Sequence, residues 1–384
     1  MLHLPVYLDH NATTPCDPAV VDAMLPYFTK SFGNAASRTH ALGWAAEEAV
    51  QLAREQVARL INADPTEIVF TSGATESDNL ALKGIFEKYH TKGRHLITCA
   101  TEHKAVLDTC KHIEKMGGSV TYLPVDPQGR VDPLLVSDAI RPDTILIAIM
   151  YANNETGVCQ PIRDISDIAR AHHIPFFTDA TQAAGKIPID VQDDGIDLLA
   201  LSAHKFYGPK GAGALYVRRR DPRITLTPQL DGGGHERNFR SGTLNVPGIV
   251  GLGKAADLCL DLMHTEAHRL SSLRDRLETT LLALGDVFVN GDPTHRLPHV
   301  TNMSFRYIDS QPLLLSVAKE LALSSGSACT SANPEPSYVL KAMGLPDTDA
   351  RASLRFSLGR FTTPGEIDYA TTHLATAIRH LRAR

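Results

Sequence analysis

The sequence predicts an α/β fold, a large and mostly parallel sheet covered by helices, joined to a smaller α+β lobe. Two observations carry this. Short apolar runs rich in β-branched residues alternate with helix-periodic stretches across residues 15–255. A long helix-like segment from Ile249 to Leu284 then leads into a second group of strand and helix patterns. A chain of 384 residues is long enough for a large core and more than one lobe.

In chain order the strand runs are EIVFTSG, RHLITCAT, SVTYLPV, DTILIAIMYAN, IPFFTDAT, DLLALSAH and GAGALYVR. Stretches 75–90, 103–116 and 162–173 have the spacing of helices that cover the sheet. The second lobe is predicted to hold strands VTNMSFRY and SLRFSLG and helices over 311–321 and 364–381. The N-terminal residues are expected to pack on that lobe. The domain expectation is therefore a large cofactor-binding domain, 15–255, and a small domain made of 1–14 and 256–384. The sequence contains no internal repeat and no low-complexity tract.

Composition narrows the function classes. The formal net charge of −5 gives no basic footprint for nucleic acid. The RRR cluster at 218–220 reads as a solvated turn, and the C-terminal RHLRAR as a polar helix end. No apolar stretch approaches a membrane span. The N-terminal MLHLPVYLDHNATTP lacks a cationic start followed by an apolar core, so no secretory signal is expected. The six cysteines are scattered and form no CxxC pair. That pattern argues against disulfides and zinc ribbons and for a reducing, cytoplasmic setting. HTEAH at 264–268 has its glutamate displaced from a zinc-binding HExxH, and reads as a solvated helix face. No resident metal is expected.

The chemistry concentrates at strand ends. SAHKFYGPKG, 202–211, places Lys205 where the apolar run DLLALSA meets a Gly/Pro-rich turn. A buried ammonium is costly, so an amine there tends to lose its charge or form a covalent adduct. An imine to an aldehyde cofactor does the latter, and pyridoxal phosphate is the usual aldehyde. Asp179 stands at the end of the preceding strand run, IPFFTDA. Ligands of open parallel sheets sit at such ends. A carboxylate there suits a protonated pyridine nitrogen, and also suits a helix N-cap. Gln182 lies three residues on, within reach of the ring's phenolic oxygen.

FTSGATESDN, 70–79, reads as strand, small-residue turn and helix start. Helix N-termini bind anions through free amides and the macrodipole. Ala74 and Thr75 are the expected phosphate contacts, with Ser202 and His204 completing the cradle. An ordinary cap by Ser72 or Thr75 is the alternative. GLGKAA, 251–256, lacks the preceding strand of a dinucleotide fingerprint. GGGHERNFRSGT, 232–243, is a polar loop suited to an anion or a subunit contact.

FTSGATESDN, TEHKAV, NNETG, DATQ, SAHKFYGPKG, GGGHERNFRSGT, SSGSACTSA and RFSLGRFT span nearly the whole chain in this order. Together they resemble the cysteine desulfurases, most of all the IscS/NifS branch of the class V aminotransferase family. The resemblance implies a fold type I, pyridoxal 5'-phosphate-dependent homodimer. It implies a sulfurtransferase that converts L-cysteine to L-alanine and passes sulfur, as a persulfide, toward iron–sulfur cluster and thio-cofactor synthesis. By the same resemblance Lys205 carries the cofactor, Asp179 pairs with the ring nitrogen and Gln182 meets the ring hydroxyl. His103 stacks on the ring and moves protons, and Asn154 faces ring and substrate. Ala74, Thr75, Ser202 and His204 hold the phosphate, and Thr243 reaches the phosphate of the partner subunit. Arg355 clamps the substrate carboxylate as a bidentate fork, with Arg351 ranked second. Iron–sulfur scaffold proteins and other sulfur acceptors are the implied partners. The C-terminal tail that helps family members engage the scaffold is expected to be short here.

Cys329, within SSGSACTSANPEP (324–336), is the only cysteine in a segment of small, polar and Gly/Pro residues. It is the expected persulfide carrier, and a transient cluster ligand as a lesser role. Cys99, Cys110, Cys159 and Cys259 read as core. The rival readings are an aminotransferase or selenocysteine lyase on the same fold, and a non-catalytic sulfur-carrier subunit. The last needs neither Lys205 nor Asp179.

Overall fold

The computed structural model describes residues 2–325 and 335–383; Cys329 lies outside them. The large part begins with helices α1 (Pro18–Met24), α2 (Pro26–Thr29) and α3 (Ala41–Leu60). It continues through β2 (Ile68–Thr71), α4 (Ala74–Tyr89), β3 (His95–Cys99), α5 (Lys104–Lys115), β4 (Ser119–Leu123) and α6 (Pro133–Asp138). Then follow β5 (Thr144–Ala148), α7 (Ile162–Ala171), β6 (Phe176–Asp179), β7 (Leu198–Ser202) and β8 (Gly213–Val217). The smaller part holds β9 (Val287–Asn290), β10 (Val300–Phe305), α9 (Ser310–Val317), β11 (Leu321–Ala322), α10 (Tyr338–Ala342), α11 (Asp347–Arg351), β12 (Ser353–Ser357) and α12 (Pro364–Arg382). The strand β1 (Val6–Tyr7) belongs with it, and the 37-residue α8 (Val246–Leu282) joins the two parts.

The seven-stranded sheet has the order β2-β8-β7-β6-β5-β3-β4. All neighbours are parallel except β8, which runs antiparallel to β2 and β7. Helices on both faces bury its strands, which explains their near-continuous apolar runs. Side chains still alternate. Phe176, Leu199, Leu201 and Tyr216 enter the core on one face. Phe177, Leu198, Ala200 and Leu215 enter the core on the other. No helix among the described residues is long and apolar enough to cross a membrane.

In the smaller part β9, β10 and β12 form an antiparallel sheet in the order β12-β10-β9. The expectation that the N-terminus packs there holds. Val6 and Tyr7 pair in parallel with Leu321 and Ala322, and Asp9 bridges to Ser357. Along α8, Met263 still belongs to the large core, whereas Leu270, Leu273 and Leu277 belong to the small one. The helix predicted over 311–321 ends at Val317, and Leu321–Ala322 turns into the strand that receives β1.

One local expectation holds, and two change. Glycines of GLGKAA serve helix packing: a Cβ on Gly253 would sit 2.5 Å from Ala53 Cα, so the glycine is what lets α8 cross α3 closely. Arg218 of the RRR cluster is buried, not solvated, and donates to Val191 O and Ile196 O beside Asp197. Glu266 of HTEAH ion-pairs with Arg360 instead of facing water alone.

Candidate active site

A cavity of about 460 Å³ opens at the carboxyl ends of β2, β3, β5, β6 and β7. These strands point the same way, so the segments that follow them converge there. Ala74, Thr75, His103, Asn154, Asp179, Gln182, Ser202, His204 and Lys205 all line it. A larger cavity of about 740 Å³ near Arg170 and Arg218 contains none of these side chains. Chemistry, not size, identifies the site.

Lys205 follows β7 and its ammonium donates to the carbonyls of Asn11 at 2.6 Å and Ala12 at 2.9 Å. Burial, and then the Arg355 charge, lower its pKa to about 8, while Asp179 and Asp9 oppose the shift. A sizeable share of the amine is therefore unprotonated in mildly alkaline solution, as a nucleophile requires. Asp179 ends β6, is 5% exposed, and accepts from Thr181 N at 2.9 Å. That bond is a local turn contact, and β6 is not followed by a helix for Asp179 to cap. Two further carboxyls, Asp78 and Glu102, lie buried near it; burial pushes both up, Glu102 to about 8.

The start of α4 carries no side-chain cap, its N-cap being Gly73 at φ 150°. Ser72 does not cap it either; its own N–H donates to Glu76 Oε2 at 2.8 Å. The first-turn amides are thus not blocked by a side-chain cap. A Cβ on Gly73 would project to 3.5 Å from Ser202 Oγ, into the space between the helix start and the end of β7. His204 Nδ1 lies 3.1 Å from Thr13 Oγ1, and burial with the Lys205 and Lys210 charges lowers its pKa to about 4, so it is neutral.

His103 both faces the cavity and caps α5, its Nδ1 accepting from Ala105 N at 3.2 Å. With Nδ1 used as an acceptor, the neutral ring carries its proton on Nε2. Asn154 Oδ1 and Thr181 Oγ1 are buried without a protein partner among the described residues. Gln182 Nε2 donates to Asn11 O at 3.1 Å. These features fit a phosphorylated pyridine aldehyde. There is an amine to capture the aldehyde, a carboxylate at the far end, an uncapped helix start for the anion, and orphaned acceptors at the side.

Arg355, on β12, meets this set through Asn154. Its Nη1 donates to Asn154 O at 3.0 Å and its Nη2 to Asp9 at 2.7 Å, leaving Nε without a partner. The expected fork is therefore already engaged on both terminal nitrogens. Thr243 is exposed and does not line the cavity. The arginines of its loop are spent within the chain: Arg237 donates to Ile68 O and Arg240 pairs with Glu76. Arg351 lies outside the cavity as well. Among the described residues no group of three or more metal-ligating side chains occurs.

Sequence reasoning missed Asn11, Thr181 and Lys210. Lys210 shares a motif with Lys205 and Thr181 follows Asp179 by two positions, so both lay in view. Asn11 sits in the polar run after β1 and reaches the site only through the fold.

Comparison with known proteins agrees with this geometry. Residues 6–370 match the model of the family described as aminotransferase class-V. The chain is 56% identical over 382 residues to "Cysteine desulfurase IscS" of Anaeromyxobacter sp. (strain Fw109-5), covering 99% of this chain and 94% of that one. It is 55% identical over 383 residues to the protein of the same name in Vibrio campbellii (strain ATCC BAA-1116), with the same coverage. Among solved structures, a "NIFS-LIKE PROTEIN" superposes with TM-score 0.92 at 35% identity, covering 98% of this chain and 100% of that one. A structure titled "SspA in complex with cysteine" gives TM-score 0.82 at 39% identity, covering 93% and 99%. The chain belongs to the class V aminotransferase family and, within it, to the cysteine desulfurases.

Proposed function

We propose that this cysteine desulfurase takes L-cysteine to L-alanine and moves the sulfur to its own Cys329 as a persulfide. The observation that carries the reading is the pairing of an amine and a carboxylate, Lys205 and Asp179, on the ends of adjacent strands in one cavity. Pyridoxal 5'-phosphate, when bound, supplies an electron-poor ring that stabilises negative charge at the substrate α-carbon. Lys205 would hold its aldehyde carbon, Asp179 its ring nitrogen and Gln182 its ring hydroxyl. Ala74, Thr75, Ser202 and neutral His204 would hold its phosphate.

The chain's own groups then divide the work. Lys205, once free, takes the α-proton; an amine with a pKa of about 8 is well matched to that task. Arg355 and Asn154 orient the substrate, and His103 Nε2 serves protons at the substrate thiol. The Cys329 thiolate attacks the substrate sulfur. The sulfur–sulfur bond forms as the carbon–sulfur bond breaks, and its electron pair stays with carbon, which is protonated on the way to alanine. L-cysteine plus the enzyme thiol thus becomes L-alanine plus the enzyme persulfide, with no outside oxidant.

In this reading residues 15–255 bind the cofactor, and 1–14 with 256–384 bring Arg355 and Cys329. A homodimer follows from Thr243, which reaches a partner's phosphate and not its own. Five large apolar side chains left exposed within residues 25–44, Leu25, Phe28, Phe32, Leu42 and Trp44, support this, because a partner subunit would take such side chains out of water. Scaffold and thiolation proteins of the cytoplasm are the acceptors the persulfide serves.

The test is alanine production from L-cysteine, together with peptide mapping of borohydride-reduced protein. Lys205→Ala should abolish turnover and lose the cofactor adduct. Cys329→Ala should lose persulfide formation. Retained turnover in Lys205→Ala, or an adduct on another peptide, would end the assignment; an aminotransferase would keep its rate in Cys329→Ala.

A further inference from the structure

Asn11 is 1% exposed and every polar group it owns is spent on the residues around the site. Its N–H donates to Ser357 Oγ at 2.8 Å and its Nδ2 to Asn154 O at 3.0 Å. Its Oδ1 accepts from His299 Nε2 at 2.8 Å. Its carbonyl accepts from both Lys205 Nζ, at 2.6 Å, and Gln182 Nε2, at 3.1 Å.

The orientation of this side chain follows from its neighbours. Asn154 O is an acceptor only, and it already takes Arg355 Nη1 at 3.0 Å. The amide nitrogen of Asn11 must therefore face it, which turns Oδ1 to His299. His299 is 1% exposed, and its other ring nitrogen, Nδ1, has no partner among the described residues. Burial holds that ring neutral, with Nε2 as the donor. Buried His299 before β10 and half-buried Asn154 after β5 thus set the plane of Asn11.

We propose that Asn11 is a positioning residue for Lys205: its side chain, pinned by His299 and Asn154, fixes the closer of the two carbonyls, Asn11 O and Ala12 O, that receive the lysine amine. This rests on the reading of Lys205 as the cofactor-bearing amine, and goes beyond it by naming what holds that amine when it is free. Hydrogen bonds to the charged form favour the ammonium, whereas burial disfavours it. The other groups facing the amine are Arg355 from β12, Asp179 from β6, Asp9 from the N-terminal segment and the adjacent neutral His204. None of these bonds Asn11 directly, and Arg355 meets it only through the shared acceptor Asn154 O. Loosening the carbonyl should therefore let burial prevail and the amine should titrate lower.

Trace acetylation of the full chain, prepared free of cofactor, reads this directly. Lys205 is compared with exposed Lys115 across a pH series by peptide mass spectrometry. In Asn11→Ala the Lys205 midpoint is expected to fall by about half a pH unit, a roughly threefold rise in labelling at neutral pH. His299→Gln should move it the same way by less. Tyr7→Phe removes braces to Asp9 O and Thr13 O in the same segment without touching Asn11, and should leave the midpoint in place. An unmoved midpoint in folded Asn11→Ala overturns the proposal. Should that variant not fold, Asn11→Ser carries the same test, since its hydroxyl is too short to span His299 and Asn154 together. Borohydride mapping of the reconstituted protein reports separately. A moved midpoint with no adduct on Lys205 would keep the positioning role and remove the cofactor reading.

Discussion

Replacing Lys205 by methionine should reverse its effect on stability as pH rises. Burial lowers the amine from 10.5 to about 8 in the folded chain. The unfolded chain then binds the proton more tightly, so stability rises with pH between those two values. Below about pH 8 the full cost of the buried ammonium is present; above about pH 10.5 it is gone. At about 1.4 kcal/mol per tenfold, this amounts to roughly 3 kcal/mol. Methionine also forfeits the bonds to Asn11 O and Ala12 O, at about 1 kcal/mol each. Lys205→Met is therefore expected to be about 1 kcal/mol more stable than the parent at neutral pH and about 2 kcal/mol less stable in strong alkali. Urea titrations of both cofactor-free proteins, run in parallel at each pH, measure the gap. Stability curves that stay parallel from neutral to alkaline pH would refute the reasoning, because a solvated lysine gives that result.

Two further perturbations test the frame around the site. Glu236 accepts both terminal nitrogens of Arg54, at 2.7 and 2.8 Å, and Phe70 N at 2.8 Å, with its side chain 2% exposed. Glu236→Ala leaves a buried guanidinium without its counterion and should cost about 3–5 kcal/mol by thermal or urea unfolding. It should also weaken cofactor retention, since Glu236 anchors the loop that carries Thr243. The double change Phe28→Asp, Trp44→Asp places charge at two exposed apolar positions of α2 and α3, and light scattering should then report a monomer with little bound cofactor. An intact dimer would move the subunit contact elsewhere.

The large sheet was legible because most of its strands are short apolar runs, helices on both faces leaving the central strands no water-facing side to interrupt the pattern. The strand-end residues were legible for the same reason: once β6 and β7 are placed, Asp179 and Lys205 can only stand at their ends. Helix α3 escaped notice. Its outward positions include Leu42, Trp44 and Leu52, which blur the apolar stripe that α3 turns toward α8. The engagement of Arg355 was equally hidden. Nothing local to RFSLGRFT announces that Asp9, far away in the chain, would meet it at 2.7 Å.

That last contact bears on how substrate enters. Arg355 arrives from the smaller part of the molecule, and Asp9 and Asn11 from the N-terminal segment packed on it. Thr13 and Thr14 of that segment in turn contact His204, Thr14 through its N–H to the His204 carbonyl at 2.8 Å. One short stretch, residues 9–14, therefore ties the arginine of one part to the lysine loop of the other. With Nη1 on Asn154 O and Nη2 on Asp9, Nε is the one nitrogen of Arg355 without a partner among the described residues. If Arg355 receives the substrate carboxylate, as proposed, a two-bond fork would form on the edge of Nε and Nη2, beside the Asp9 carboxylate. On that reading Asp9 competes with the substrate carboxylate for the guanidinium while keeping it paired, and an Asp9→Asn change should tighten carboxylate binding while lowering the stability of the empty site. Tighter binding without the stability loss would separate the two roles and show that Arg355 needs no counterion to hold its place.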